Sequence, residues 1–439
     1  MRSELNMIKK IQKLVVQGQK KLNGHVRVSG SKNAALPILC AALLTDEIST
    51  ISNVPDIADI HTLLNILGEL NVKTTFQNHT VTIDPSGLKL NTINEKSICS
   101  MRASILLLGP LMSRFPEVNL PFPGGCVLGK RSAAAHTHVL KTLGAEILNE
   151  TQTLHIKAKK LQPATIIMPE QSVTATENAV MIASLIPGKT VIKLAAAEPH
   201  VQDLCHFLNK MGSKISGIGT SELVIEGQTK LHAATHEITG DYLEAGTFAI
   251  AALLTNGEVT VEGIDPGQLD SFWQKLDEVG ANYELANGTN KFAGFKILPN
   301  NKPFQSIPML RTAVYPSFAT DLQAPFAVLL TQAQGQSKIF ETLFEGRLNY
   351  LFELEKMGAK IEMLNPHQAI IKGPTTLKGV PIASCDIRAG AAMVLAALCA
   401  QGPTEISNIN YIDRGYEKLD EKLRSLGAEI TRVDAQVGA

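Results

Sequence analysis

Apolar positions along the chain alternate between two patterns. Amphipathic runs of helical period give way to short β-branched runs, and the same few residues mark the switch each time. Five copies read Leu143-Gly144-Ala145-Glu146-Ile147, Met211-Gly212-Ser213-Lys214-Ile215, Val279-Gly280-Ala281-Asn282-Tyr283, Met357-Gly358-Ala359-Lys360-Ile361 and Leu426-Gly427-Ala428-Glu429-Ile430. A sixth, Leu70-Asn71-Val72-Lys73-Thr74, carries Asn in place of Gly. Successive marker positions stand 73, 68, 68, 78 and 69 residues apart, which predicts six copies of one unit.

Each copy follows one grammar. An amphipathic helix, such as Gly415 to Leu426, ends at a Gly that takes the left-handed cap conformation cheaply, and a strand follows. Upstream lies a second strand-like run: Ser49 to Ser52, Val118 to Leu120, Thr190 to Leu194, Glu258 to Glu262, Ser337 to Phe340 and Thr404 to Ser407. Charged turns separate that run from the helix, where free N–H groups favour anions. Helices in every unit argue against a propeller, and the unequal Pro/Gly-rich excursions at 122–129 and 303–316 argue against a solenoid. The expected fold class is α/β, with six βα repeats in two lobes of three whose junction loops face a shared cleft. The seam is expected near Gly240, giving one lobe from 31 to 240 and a second from 1–30 plus 241–439.

Composition narrows the function. The 439 residues hold 41 basic and 41 acidic side chains, a balance unlike that of a general nucleic-acid binder. Aromatics are 5%, too few for a stacking platform. The six cysteines form no C-x-x-C pair, so disulfides and a zinc cluster are not expected and a reducing cytoplasm is. Neither the basic N-terminus nor the apolar run Ala389 to Ala400 suits a signal peptide or a membrane span. No metal or cofactor is expected, and no residue pattern specifies an oligomeric state.

Candidate chemistry sits where polar residues interrupt apolar sequence. Lys32, in Gly30-Ser31-Lys32-Asn33-Ala34-Ala35-Leu36-Pro37, is a compact cation at a helix entry, or a solvated Lys beside a cap. Cys126 lies in Gly124-Gly125-Cys126-Val127-Leu128-Gly129-Lys130-Arg131, where the two cations favour a thiolate; the other cysteines read as packing. Arg102, Arg131, Arg388 and Arg414 stand beside helix starts, and each could pair with a nearby Asp. Four in equivalent places, with Lys32, imply a small, highly anionic ligand. Asp321, in Ser317-Phe318-Ala319-Thr320-Asp321-Leu322-Gln323-Ala324, reads as a helix cap or as a base for a substrate hydroxyl.

The runs GSKNAALP, MRAS, GGC-x-x-G, SFATDLQA, DIRA and IDRGYE, in this order, resemble the UDP-N-acetylglucosamine enolpyruvyl transferases (1-carboxyvinyltransferases) of the EPSP synthase-like superfamily. The similarity covers essentially Ile11 to Val433 and implies a pair of inside-out α/β barrel lobes with three-fold internal repeats. It implies transfer of the enolpyruvyl group of phosphoenolpyruvate to the 3'-hydroxyl of UDP-N-acetylglucosamine with loss of phosphate, the committed step of peptidoglycan precursor synthesis. By the same resemblance, Lys32, Arg102, Arg131, Arg388 and Arg414 bind phosphoenolpyruvate. Asn33, Arg102, Arg131, His136, Ser172, Val173, Asp321, Leu343 and Phe344 bind the sugar nucleotide. Asp321 handles the hydroxyl proton, and Cys126 protonates the methylene carbon and is the target of fosfomycin. Lys32 and Arg414 count with these two as catalytic.

The sequence departs from the family pattern at Ser132-Ala133-Ala134-Ala135, Thr174, Tyr242 and Gly346, all where the resemblance puts the acceptor or the seam between lobes. Another nucleotide-sugar acceptor therefore stays open, as does a non-catalytic paralogue. Shikimate 3-phosphate fits less well, because that branch lacks the loop cysteine.

Overall fold

The six caps form as expected. In a computed structural model of the chain, which describes residues 12–90, 94–124, 132–286 and 293–434, Gly144, Gly212, Gly280, Gly358 and Gly427 have φ of 97°, 103°, 76°, 96° and 104°. Asn71 has φ of 62°, so the sixth copy makes the same left-handed turn; Asn is the side chain that tolerates it best after Gly.

The repeat is longer than its caps suggest, as its third copy shows. A strand Thr165–Ile167 leads into the helix Val173–Ser184, and a parallel strand Gly188–Lys193 returns beside the first. A second helix, Pro199–Lys210, then leads to the hairpin Lys214–Ser216 and Glu222–Gly227, which adds antiparallel strands to the same sheet. Among the described residues there are six such sheets, five of four strands and one of three. The result is an α/β protein of six repeats.

The two helices of a repeat differ in kind. The second is amphipathic: Asp270–Val279 buries Phe272, Trp273, Leu276 and Val279 and turns its charges outward. The first is enclosed on all sides. In Val173–Ser184 every residue from Ala175 on is buried, and in Thr320–Thr331 every residue from Leu322 on. Such a helix shows no periodic stripe, so its sequence gives no amphipathic signal.

Two compact units result. One comprises Val28–Tyr242 with Val314–Ser317; the other comprises the chain up to Arg27, Leu243–Ala313 and the chain from Phe318 on. Three sheets lie in each. Apart from the short excursion Val314–Ser317, the chain changes unit twice. Strand Asn23–Arg27 pairs with Glu258–Glu262, and strand Thr235–Glu237 pairs with Ser49–Ser52, so each segment completes one sheet before entering the other unit's first helix. Around Gly30 and Gly240 the two connections bond to each other: Ser31 N donates to Thr239 O at 2.8 Å, and Asp241 N to Ser29 O at 2.9 Å. A Cβ on Gly30 would lie 1.7 Å from Asn53 O, so this approach requires glycine.

One expected helix is shorter than the pattern implied. Gly415 to Leu426 yields a helix only at Leu419–Ser425, because Lys418 takes φ of 48° and interrupts it. The residues before it form a turn that buries Tyr416, whose hydroxyl shares a 2.9 Å hydrogen bond with Thr247 Oγ1.

Candidate functional site

In the unit built on Val28–Tyr242, Lys32 opens the helix Lys32–Ala41. Its ammonium lies 2.6 Å from Asp59 Oδ2, with side chains 10% and 5% exposed, so it is a held charge and not a solvated one. The cap residue Ser31 gives that helix no side-chain hydrogen bond, and its buried Oγ has no partner among the described residues. Asn33 follows, partly exposed. The entry thus combines uncapped N–H groups with one fixed cation.

Arg102 starts a 3-10 turn, Arg102–Leu107, and reaches two carbonyls far apart in sequence. Nη1 donates to Pro123 O at 3.2 Å and Nη2 to Ser132 O at 3.0 Å, while the guanidinium lies 5.9 Å from the Phe122 ring centre. These carbonyls flank 125–131, the stretch that carries Cys126, Lys130 and Arg131 and lies outside the described residues. The other five cysteines are buried or partly buried, and burial pushes every one of their thiols up.

His136 is wired into a neutral network that the sequence did not reveal. Asn178 Oδ1 accepts from Gly109 N at 2.8 Å, so its Nδ2 donates, to Ile105 O at 3.0 Å and to His136 Nδ1 at 2.9 Å. These partners assign the imidazole proton to Nε2, which faces Thr174 Oγ1 at 3.1 Å. Burial, and then the charge of Arg102, pull the His136 pKa down to about 3, so the ring is neutral at physiological pH. Thr174, one of the departures from the family pattern, is therefore engaged by His136. Ser172 and Val173 begin the same helix, partly exposed, and Ser172 supplies no side-chain cap. Tyr242, another departure, is buried with its ring stacked on His200 at 6.4 Å.

In the other unit, Asp321 is the second residue of the helix Thr320–Thr331, and it is not the cap; that position is Ala319. Its carboxylate instead meets two guanidiniums. Arg347 Nη2 donates to Oδ1 in a short contact, and Arg388 Nε donates to Oδ2 at 3.1 Å. Both arginine side chains are at most 5% exposed, whereas the Asp321 side chain is 27% exposed and can be approached. Burial works to raise its pKa, but the charges of Arg347 and Arg388 overrule it and hold the carboxyl well below the usual range.

Around this cluster the acidic groups have separate duties. Asp386 caps the helix Ile387–Cys399, its Oδ1 accepting from Arg388 N and Ala389 N at 2.8 Å each, so it is not the side-chain partner expected for Arg388. Glu341 Oε2 accepts from Thr320 Oγ1 at 2.9 Å, and Thr320 Oγ1 accepts from Arg347 Nε at 3.2 Å. Arg388 also lies 5.1 Å from the Tyr416 ring centre. Leu343 is an exposed apolar side chain, and Phe344 carries Arg347 over its ring at 5.5 Å. Arg414 is partly exposed at the end of the 3-10 turn Ile409–Arg414. Its neighbour Asp413 is taken by Arg432, in a fork with bonds of 2.8 and 2.9 Å.

Residues missed from sequence are Arg347, Thr320, Glu341, Asp59 and Asn178. A faint signal existed for Arg347, in the charged turn Glu345-Gly346-Arg347. Among the described residues no group of three His, Cys, Asp or Glu side chains could hold a metal ion, and no helix is long and apolar enough to cross a membrane.

Comparison with known proteins shows the family and the fold. Residues 16–423 match the family EPSP synthase (3-phosphoshikimate 1-carboxyvinyltransferase). A UDP-N-acetylglucosamine 1-carboxyvinyltransferase of Chlorobium limicola is 43% identical over 424 residues, 96% of this chain and 98% of that protein. Among solved structures, the enolpyruvyl transferase NikO from Streptomyces tendae superposes with a TM-score of 0.86 at 25% identity, covering 97% of this chain and 100% of that one. An EPSP synthase from Acinetobacter baumannii, at 18% identity and a TM-score of 0.72 over 96% of this chain and 100% of its own, shares the fold.

Proposed function

The chain belongs to the EPSP synthase family of carboxyvinyltransferases, and from that premise we propose that it moves the enolpyruvyl group of phosphoenolpyruvate onto the 3'-hydroxyl of UDP-N-acetylglucosamine, releasing phosphate. The observation that carries the acceptor is the 43% identity, over nearly the whole of both chains, to an enzyme named for that reaction. The product would feed peptidoglycan precursors. A reducing cytoplasm suits the unpaired cysteine pattern.

The residue roles are read as follows. Lys32, Arg102, Arg131, Arg388 and Arg414 meet the phosphate and carboxylate of phosphoenolpyruvate; fixed cations suit a substrate with two anionic groups. Asn33, His136, Ser172, Val173, Leu343 and Phe344, with Arg102 and Arg131, meet the sugar nucleotide. As the acceptor oxygen bonds to carbon 2, its proton passes to Asp321 and carbon 3 gains a proton from Cys126. Elimination then breaks the bond from carbon 2 to the phosphate oxygen, removes a proton from carbon 3 and restores the double bond. No metal is called for in this scheme. The held, ionised carboxylate of Asp321 supports its role, since an acceptor of a hydroxyl proton must be unprotonated beforehand.

Phosphate release from phosphoenolpyruvate, assayed with UDP-N-acetylglucosamine and with other nucleotide sugars and shikimate 3-phosphate in parallel, tests the reading. Release with UDP-N-acetylglucosamine is expected. Release with a different acceptor alone would reassign the substrate, and release with none would make the chain a binding protein. Fosfomycin is expected to alkylate Cys126, which Lys130 and Arg131 adjoin in sequence; intact mass without an adduct, sugar nucleotide present, would remove Cys126 from its role.

A further inference from the structure

We propose that Thr174 is a specificity-determining residue for the sugar nucleotide: a one-way relay through Asn178 and His136 holds its hydroxyl as a hydrogen-bond donor, which takes an anionic oxygen of the diphosphate. This rests on the reading of His136, Ser172 and Val173 as groups that meet the sugar nucleotide. The relay lies within the unit built on Val28–Tyr242.

Its direction is set at the buried end. Gly109, in the first turn of the helix Leu108–Arg114, donates its N–H to Asn178 Oδ1 at 2.8 Å. A Cβ on Gly109 would stand 2.9 Å from that oxygen, so the approach requires glycine. With its oxygen turned to Gly109, the Asn178 amide gives its two hydrogens to Ile105 O at 3.0 Å and to His136 Nδ1 at 2.9 Å. Nδ1 is then an acceptor, and the single proton of the neutral ring sits on Nε2, 3.1 Å from Thr174 Oγ1. Asn178 and His136 are both buried, so each bond fixes the sense of the next.

Thr174 Oγ1 therefore accepts from the imidazole and has its own hydrogen left to give. No acceptor among the described residues takes that hydrogen. The side chain is partly exposed, at the second position of the helix Val173–Ser184. A hydroxyl held this way discriminates: it pairs with an acceptor atom and is stranded opposite another donor. Its surroundings give the acceptor a sign. Ser172 supplies no side-chain cap to the first-turn N–H groups, and the charge of Arg102 reaches His136. Donors and a cation together suit an anionic oxygen better than the base, which carries a donor of its own. Threonine at this departure from the family pattern thus adds a donor for the nucleotide.

The test is binding of UDP and of uridine to the full-length protein by calorimetry, beside phosphate release with phosphoenolpyruvate and UDP-N-acetylglucosamine, in the wild type, Thr174→Val and Thr174→Ser. Thr174→Val keeps the shape and removes the hydroxyl. It is expected to weaken UDP binding about 10-fold and to raise KM for UDP-N-acetylglucosamine as much, with uridine binding, KM for phosphoenolpyruvate and kcat within about twofold. Thr174→Ser restores the donor and should bring UDP back to within about threefold of the wild type. Unchanged UDP binding in Thr174→Val overturns the proposal, and so does equal weakening of UDP and uridine. Should Thr174→Val not fold, nitrogen-15 spectra of the wild-type histidine rings decide, with His136 identified by its absence in His136→Gln. Protonation at Nε2 at pH 7 supports the relay, and protonation at Nδ1 sinks it. A wild type that binds no UDP defeats the sugar-nucleotide reading and this inference together; UDP binding that Thr174→Val leaves intact defeats the inference alone.

Discussion

Glu177 and Asp321 lie on corresponding enclosed helices of two repeats, Val173–Ser184 and Thr320–Thr331, yet the surroundings push one carboxyl toward its neutral form and hold the other ionised. Glu177 is 1% exposed; burial, and then the charge of Glu198, push its pKa well above the ordinary value. Its Oε1 and Glu198 Oε2 have no hydrogen-bond partner among the described residues. Two neighbours of Glu177 on its own helix are uncharged: Thr176 donates to Ser172 O at 2.8 Å, and Asn178 orients an uncharged His136. Asp321 has two guanidiniums instead. Burial acts the same way on both carboxyls, so the partners that the fold supplies decide the charge. An enclosed helix accepts either solution, provided its polar atoms are paired.

The largest effect is expected on the ionic side. Asp321→Asn should leave phosphoenolpyruvate binding near normal and cost about 100-fold or more in turnover, the scale of a lost general base. Binding and phosphate-release assays on one preparation separate the two quantities. Wild-type turnover would make both carboxyls structural and dissolve the contrast.

On the neutral side the largest effect should come from Asn178→Leu. It strands Gly109 N, Ile105 O and His136 Nδ1 in a buried site, and a cost of about 3 kcal/mol is expected from denaturant unfolding. A loss below about 1 kcal/mol would show that the network relaxes around the gap.

His136 gives a pH-dependent form of the same comparison. A histidine whose folded pKa is depressed contributes stability above its unfolded value, near 6.5, and that contribution drains away as pH falls toward its folded value of about 3. Between pH 6.5 and 5 the wild type should lose about 2 kcal/mol that a His136→Gln variant does not. Parallel melting curves for the two proteins across that window would show that the ring charges without penalty.

The repeat was legible in sequence because its signal is local. One left-handed residue per unit, Asn71 included, sits beside the helix it ends, and the strand runs upstream of the helices form where the β-branched residues lie. The enclosed helices were hard to read for the opposite reason: they are apolar on all sides and carry no stripe. The site was half legible. Lys32, Arg102, Arg388 and Asp321 could be picked out as charges in apolar sequence, but their partners could not. Arg347 is 26 residues from Asp321 and Arg388 is 67, and nothing local in the chain announces a pairing over that distance. Hence Asp321 could be read only as a cap or a base, and Asp386, next but one to Arg388, looked like a partner when it is a helix cap.

The smallest expected effect is on Glu177 itself, and its sign is the most informative. A glutamic acid whose folded pKa is raised costs nothing below its unfolded value, near 4.3, and costs progressively more as pH rises from there toward its folded value. Glu177→Gln keeps the shape, removes the titration and offers Glu198 an amide donor in place of a like charge. The variant should match the wild type at pH 4 and be more stable at pH 8, by about 1 kcal/mol, read as a higher melting temperature. Asp321→Asn should show the reverse dependence, because a depressed carboxyl contributes its stability above the unfolded value and loses it in acid. Two carboxyl-to-amide changes on corresponding helices would then shift stability in opposite directions as pH rises. If Glu177→Gln were destabilising at pH 8, the Glu177 carboxyl would have to be ionised and paired, and the two helix entries would share one electrostatic solution instead of two.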